Sequence, residues 1–230
     1  LAVSVRSISS FIEGNMEVLA QFIKTEREER MRGTHVERRE LVTAIVEGTP
    51  INSQQASQLL GYNLEQTHHA AVIWSEEADT QLNTLELAAK ALARCAGSRL
   101  TLTVIANAAT LWVWTAGDKA VDLQQLQIVI KGLSGVRLAI GSTGQGSEGF
   151  RRAHLDALTT QRVLGRLHSS GRVVDFDMVR LVALMTRDRK AAHQFVTHTL
   201  GGLATASPVL RRALLTFLSG GCNATQAAEQ

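Results

Sequence analysis

Leu100-Thr-Leu-Thr-Val-Ile105 and Thr110-Leu-Trp-Val-Trp114 decide the fold of this chain. Both runs are rich in β-branched and aromatic residues, and they are joined across Ala106-Asn107-Ala108, so they predict the two strands of a hairpin. The whole stretch is apolar, but it is too short for a membrane-spanning helix and Asn107 interrupts it. We therefore place it in a β-sheet.

The segments on either side of the hairpin alternate between strand and helix patterns. In chain order the predicted elements are a strand at 69–74, a helix at 82–96, the two hairpin strands, a helix at 123–133, a strand at 136–140, a helix at 148–168 and a strand at 172–176. The order β, α, β, β, α, β is the ferredoxin-like arrangement, here with one more helix and strand. After Asp177 every pattern is helical.

Three helices are predicted before the sheet, at 4–32, 35–46 and 53–60. In the first of them, apolar residues and one asparagine recur at alternating spacings of four and three, which is the pattern of a coiled-coil seam. The seam positions are Ile8, Ile12, Asn15, Leu19 and Phe22. Two heptads are short, so this helix either forms a dimer seam or packs against the rest of the protein.

Length and composition indicate more than one structural unit. A chain of 230 residues with 45% hydrophobic residues exceeds a typical domain of about 100–150 residues. We divide it into a helical segment at 1–60, an α/β domain at 61–176 and a helical region at 177–230. The chain opens with Leu-Ala-Val, and it has neither a signal peptide nor a run of about 18 apolar residues. We expect a fragment of a longer soluble, cytoplasmic protein with no membrane partner.

Basic residues concentrate in the last third of the sequence. Residues 151–230 carry 11 Lys/Arg against 5 Asp/Glu, whereas residues 1–50 carry 7 against 8 and residues 51–150 carry 6 against 8. A localised positive field favours binding to the phosphate backbone of a nucleic acid. For any single arginine, a position on a solvated helix face is an equally good explanation.

The end of the chain, residues 208–230, predicts an amphipathic helix, a turn and the opening of a second helix. The apolar positions Leu210, Leu214, Phe217 and Leu218 follow the spacing of a buried helical stripe. Gly220-Gly221 ends the first helix, and Asn223 is placed to cap the second, with Gln226 at the capping-box position. This is the front half of a helix-turn-helix, without a recognition helix.

The segment 210–229 resembles the C-terminal signature of the PucR/CdaR family of bacterial transcription regulators. Other blocks that fall where this family has recurring motifs are Gly61-Tyr62 with 69–74, 151–157, 175–184, Phe195-Val196 and Leu200-Gly201. The resemblance implies a central domain of the GGDEF and nucleotide-cyclase palm type. It also implies a homodimeric, DNA-binding regulator with an unknown small-molecule effector. In this chain we expect at most weak phosphate contacts, from Arg211, Arg212, Thr225 and Gln226.

A palm-type cyclase needs two carboxylates, one at the first strand and one at the hairpin, to hold its metal ions. The strand at 69–74 contains no acid, because Glu76, Glu77 and Asp79 all lie beyond its end. The hairpin reads 105-Ile-Ala-Asn-Ala-Ala-109 where a Gly-Gly-Asp-Glu-Phe motif would stand. We therefore predict no catalytic residues, no metal and no cofactor. A nucleotide-binding or cyclase-like enzyme stays an alternative, and so does a pure dimerisation or docking module.

A glycine-rich segment, Gly141-Ser-Thr-Gly-Gln-Gly146, lies between a strand and a helix, as phosphate-binding loops do. The candidate anion-binding residues are Gly141, Gly144, Gly146 and Ser147. However, Ser147-Glu148 stands where a P-loop requires Lys and Ser/Thr. We favour a structural turn, with Ser147 capping the helix that follows.

Overall fold

The structure is a computed structural model that describes residues 35–77, 81–167, 169–186 and 188–222. The chain divides into two compact units, Leu1–Arg180 and Leu181–Gln230. The predicted helix at 4–32, with its seam residues Ile8, Ile12, Asn15, Leu19 and Phe22, lies outside the described residues. None of the helices in the described part of the chain combines the length and apolar character needed to cross a bilayer.

Six strands form one sheet in the first unit, which gives this unit a mixed α+β fold. Their bounds are β1 Thr67–Ser75, β2 Thr101–Asn107, β3 Thr110–Ala116, β4 Val136–Ile140, β5 Gly144–Gln145 and β6 Val173–Asp175. The order β2-β3-β1-β4-β6 is the ferredoxin-like order extended by β6, and β5 pairs with the start of β1. All of these pairings are antiparallel except β4 with β6.

Eight α-helices are present in the described residues. They are α1 at 35–47, α2 Ser53–Leu60, α3 Leu82–Cys95, α4 Leu123–Lys131, α5 Gly146–Leu167, α6 Phe176–Met185, α7 Arg189–Leu200 and α8 Pro208–Ser219, with a 3-10 turn at Gly201–Ala204. Local sequence sets their ends. The Asn52 side chain accepts a hydrogen bond from the Gln55 N–H at the start of α2, and Gly61 ends that helix with a left-handed φ of 61°.

Each face of the sheet has its own buried core. Helices α3 and α4 cover one face, where the core includes Ala71, Ile73, Leu85, Leu92, Leu111, Val113, Leu126, Ile130 and Leu138. Helices α1, α2 and α5 cover the other, where the core includes Val42, Ile45, Leu60, Leu64, Ala70, Leu102, Val104, Trp114 and Phe150. Neighbouring residues of β1, such as Ala70 and Ala71, thus face opposite cores, which explains why the middle of this strand, residues 70–73, is apolar without alternation. The described part of the segment 1–60 shares its core with the sheet.

Two features of the first unit differ from the sequence-based expectation. Strand β5 was not predicted, because Gly144-Gln145 has no strand propensity and its pairing with Thr67 and His68 depends on where the chain returns to β1. Ser147 does not cap α5, because the helix already begins at Gly146 and Ser147 lies within its first turn. The Ser147 Oγ instead forms a hydrogen bond with the Ser53 Oγ at 2.8 Å.

The second unit contains the predicted helix near the end of the chain, but the stripe on this helix is not buried. Leu210 and Leu218 are more than half exposed, and none of the twelve residues of α8 is buried. Periodicity forms the amphipathic helix, whereas burial of the stripe requires a second surface, which no described residue of this unit provides. Gly221 and Cys222 follow α8 with φ angles of 67° and 63°. Asn223, Thr225 and Gln226 lie outside the described residues.

Candidate functional site

The end of β1 and the β2–β3 hairpin meet at one corner of the sheet. Trp74 pairs with Thr110, and the Ser75 N–H donates a hydrogen bond to the Ala109 carbonyl oxygen at 3.1 Å. This is the corner where a palm-type cyclase would bring its two metal-binding carboxylates together. The backbone of this corner is therefore arranged as in a palm-type cyclase, and whether metal ions could bind there depends on its side chains.

The carboxylates after β1 interact with β4 and the loop before it. Glu76 forms an ion pair with Arg137, and the Glu77 carboxylate accepts hydrogen bonds from the Ser134 Oγ at 3.0 and 3.3 Å. The Arg137 guanidinium also donates to the carbonyl oxygens of Ser169 and Gly171, at 2.6 and 3.1 Å. These contacts connect the end of β1 with β4 and with the turn before β6, so both glutamates already have partners within the protein.

The hairpin side of the corner offers no carboxylate. The Asn107 Oδ1 accepts a hydrogen bond from the Ala109 N–H at 2.9 Å, so this side chain closes the turn. Its neighbours Ala106, Ala108 and Ala109 have no ligand atoms in their side chains. Within the described residues, no three His, Cys, Asp or Glu side chains are grouped closely enough to hold a metal ion.

The glycine-rich segment between β4 and α5 packs tightly against its surroundings. A Cβ at Gly141 would lie 1.8 Å from the Ala153 carbonyl oxygen, and a Cβ at Gly144 would lie 2.5 Å from the Gly149 Cα. The Gly141 N–H donates to the Ala70 carbonyl oxygen at 2.9 Å, and the Gly146 N–H donates to the Gln66 carbonyl oxygen at 3.0 Å. The glycines therefore allow α5 to approach the sheet, and two of the amides that an anion would need are already bonded.

A groove of about 290 Å³ lies beside this segment, between the α1–α2 connection and the first turns of α5. Its polar wall includes Ser53, Ser147, Glu148 and Arg151, and its apolar wall includes Ile45 and Ile51. The Arg151 Nε donates to the Val46 carbonyl oxygen at 2.8 Å, and its Nη1 lies 3.5 Å from the Glu148 carboxylate. Arg151, Ser53 and Ser147 thus all bind other groups of the protein. These contacts join α5 to α2 and to the end of α1, so a structural role explains the polar groups of the groove.

Two adjacent histidines of β1 are buried, with contacts to different elements. The His68 Nε2 donates to the Leu64 carbonyl oxygen at 3.0 Å, so its Nδ1 accepts from the Tyr62 hydroxyl at 2.9 Å. The Thr143 hydroxyl lies 3.2 Å from the His69 Nδ1. Burial lowers the pKa of both histidines and raises the pKa of Tyr62. Both imidazoles are therefore neutral parts of the core.

His154 is a buried residue whose environment the sequence analysis did not anticipate. It lies on α5 between the rings of Trp112 and Trp114, with centroid distances of 4.7 Å to each, and its side chain is fully buried. Neither ring nitrogen has a hydrogen-bond partner within the described residues, and burial lowers the pKa of His154 to about 3. Its position four residues after Phe150, on the buried face of α5, was the available signal.

The residues predicted to contact DNA are only partly described. Arg211 and Arg212 are exposed on α8, where their side chains are accessible to a phosphate backbone. Thr225 and Gln226 lie outside the described residues. The DNA contacts and the dimer seam accordingly stay predictions.

The strand order, the two helical layers and the β1–hairpin corner define a palm-like α+β domain. Residues 48–163, just over half of the chain, match the family model described as "GGDEF-like domain". The chain belongs to this family of GGDEF-like domains.

Its fold is also similar to the crystal structure of a regulator of polyketide synthase expression from Bifidobacterium adolescentis. The sequence identity is 16% and the TM-score is 0.49, over 84% of this chain and 76% of that one. A comparison with curated protein sequences gave no match.

Proposed function

We propose that this chain is part of a cytoplasmic, ligand-responsive, DNA-binding transcription regulator of the PucR/CdaR type. In this proposal the GGDEF-like domain acts in signalling or dimerisation and catalyses no reaction. An effector would bias the arrangement of a homodimer, and the C-terminal helical region would contact DNA. Two parts of this proposal, the effector and the recognition helix, rest on the resemblance of residues 210–229 to that family.

The observation that carries the non-catalytic assignment is the corner between β1 and the hairpin. Two-metal nucleotide chemistry requires carboxylates that converge on the metal ions, which in turn bind the triphosphate. Here the hairpin side contains alanines and an asparagine that closes its own turn, and Glu76 and Glu77 interact with Arg137 and Ser134. A fold of this family therefore persists with different side chains at the corner, as folds commonly host unrelated functions.

The DNA-binding half rests on charge and on α8. Residues 151–230 carry the positive excess of the chain, and Arg211 and Arg212 are exposed on α8. Phosphate contacts from such residues position a protein on DNA, whereas base contacts, mainly from a recognition helix, specify sequence. We therefore expect weak, salt-sensitive or no DNA binding by residues 1–230.

The decisive test compares this chain with a version extended by about 40 residues of the natural protein, the span that a recognition helix and its supporting helix would need. Binding to genomic fragments is measured over a salt series. Specific binding by the extended form alone supports the regulator. Sequence-selective binding by residues 1–230 alone contradicts the assigned role of the missing helix, and binding by neither form favours a nucleotide or metabolite site in the palm-like domain.

The enzyme alternative has a separate test. Thermal unfolding is followed with ATP, GTP and guanine dinucleotides, each with and without Mg²⁺. A ligand at 100 times its dissociation constant stabilises the folded state by about 2.7 kcal/mol, so binding is readily detected. We expect no Mg²⁺-dependent shift, and such a shift together with release of pyrophosphate from GTP would establish an enzyme.

A further inference from the structure

Strand β2 forms one edge of the sheet and is unusually unprotected. It pairs with β3 on its inner side, and no strand of the described chain pairs with its outer side. Its seven residues, Thr101–Asn107, include no charged residue and no proline. Natural edge strands commonly carry a charge or proline or are very short, because an open row of backbone groups pairs readily with another strand.

The backbone groups on the outer side of β2 can be identified from the ladder. The Ala116 N–H donates to the Leu100 carbonyl oxygen, so Leu100 directs its backbone groups towards β3. In an antiparallel pair this direction alternates with each residue. Thr101, Thr103 and Ile105 therefore direct their N–H and carbonyl groups outward. The register shifts between Ile105 and Asn107, which ends the regular segment at Ile105.

The opposite edge of the sheet differs in its length and in its charge. Strand β6 has three residues, pairs in parallel with β4 and ends in a carboxylate, Asp175. Short length and charge are two common means by which proteins prevent edge pairing. Among the strands that the structure describes, an open edge of seven uncharged residues therefore occurs only at β2.

We propose that a second copy of this chain pairs with β2 in antiparallel orientation, with the two-fold axis at Thr103. In this register Thr103 lies opposite its equivalent, Leu102 lies opposite the second copy's Val104, and Thr101 lies opposite the second copy's Ile105. Leu102 and Val104 already belong to the buried core on one face, so the pairing continues an apolar face across the axis. On the order of six backbone hydrogen bonds would form across this interface.

Charge favours a second copy as the occupant. A two-fold axis places each strand against itself, so a charged residue near the axis would face a like charge and weaken the pairing. The segment Thr101–Ile105 is uncharged, and this self-pairing carries no such repulsion. The interface requires neither the predicted seam near the N-terminus nor DNA binding, so it can be tested independently of the proposed function.

The test measures molecular mass by light scattering over a concentration series for the wild-type chain and two variants. We expect the wild type to approach twice 24.9 kDa. Thr103→Pro should be monomeric, because proline removes an outward N–H while leaving the bonds to β3 in place. Thr103→Val is the matched control and should dimerise like the wild type. Circular dichroism and thermal unfolding verify that each variant is folded.

Thr103→Lys keeps the backbone N–H and is the alternative test variant if Thr103→Pro does not fold. It should weaken dimerisation at least tenfold at low salt, and added salt should restore part of the loss. A monomeric wild type, or a proline or lysine variant that dimerises as tightly as Thr103→Val, overturns the proposal. Replacing Ile12 and Leu19 by Asp should leave the dimer intact, and loss of the dimer in that variant alone would assign the interface to the seam instead.

Discussion

Helices α5 and α8 have the same kind of amphipathic pattern and very different burial. Helix α5 buries eight residues, including Phe150, Ala153, Ala157 and Leu164, whereas α8 buries none of its twelve. Apolar residues recur in both helices at spacings of three and four. The difference teaches that periodicity forms a helix and selects a face, while burial of that face depends on a surface from elsewhere in the molecule.

The contact between α5 and the sheet shows what such a surface provides. The Trp114 ring stacks on Phe150 at a centroid distance of 4.4 Å, and the Trp114 Nε1–H donates to the Phe150 carbonyl oxygen at 3.1 Å. Gly141 and Gly144 remove the side chains that would hold the helix away. Four predictions test the contrast between α5 and α8, beginning with the largest expected effect.

Gly141→Ala should be the most damaging single change at the α5 interface. The new Cβ would lie 1.8 Å from the Ala153 carbonyl oxygen, so either the helix or the strand end must move. We expect a loss of more than about 4 kcal/mol in the free energy of unfolding, or failure to fold. Gly165→Ala, within α5, is the control, because no atom of a packed neighbour lies within 4 Å of its new Cβ; it should be stabilising by about 0.5–1 kcal/mol. Equal effects of the two would contradict the packing role of Gly141.

Leu164→Ala and Leu218→Ala compare the apolar faces of the two helices directly. Leu164 is 2% exposed on α5, and Leu218 is 56% exposed on α8. Urea unfolding should show a loss of about 2–5 kcal/mol for the first and a change within about 0.5 kcal/mol for the second. A loss above about 1.5 kcal/mol for Leu218→Ala would show that the apolar face of α8 is covered in solution.

The third prediction concerns the pH dependence that His154 imposes on the packing of α5. Its pKa of about 3 in the folded state lies below the usual 6.5, so below pH 6.5 the unfolded chain binds a proton that the folded chain excludes. Stability should therefore fall as the pH drops from 6.5 towards 3, by about 1.4 kcal/mol per pH unit from this residue.

Unfolding of the wild type and His154→Phe between pH 7 and pH 5 measures this contribution. His68 and His69 act in the same direction because burial lowers their pKa values too, so the variant should reduce the slope without abolishing it. Asp175, whose pKa is raised by burial, acts in the opposite direction, and it does so in both proteins. An unchanged slope in His154→Phe would show that His154 does not remain neutral in the folded state.

The smallest effect on stability is expected at the two arginines of α8 that are predicted to contact DNA. Arg211→Ala and Arg212→Ala should leave thermal stability unchanged, because both side chains are exposed. In the extended protein each should weaken DNA binding to all sequences alike and reduce the salt dependence by about one phosphate contact. A loss of affinity confined to one sequence would assign base recognition to α8 and contradict the proposal that a separate recognition helix reads the bases.

Much of the secondary structure of the first unit was predictable, because its signals are local. The helix at 53–60 and the strand at 136–140 have the predicted bounds, and the strand predicted at 69–74 extends from Thr67 to Ser75. The candidate site was predictable only in part. The hairpin composition excluded a Gly-Gly-Asp-Glu-Phe motif, but the interaction of Glu76 with Arg137 joins residues 61 positions apart. Ser147 was expected to cap a helix and instead contacts Ser53, 94 positions away.

The sequence by itself determined the alternation of strands and helices, the lack of acids in the hairpin and the basic excess of the last third. Each of these depends on residue type or on neighbours a few positions apart. Only the tertiary structure decided that the glycines after β4 admit α5, that His154 lies between two tryptophans, and that β2 leaves an edge open while the face of α8 is exposed. Those properties depend on surfaces brought together from distant parts of the chain, and local patterns do not encode them.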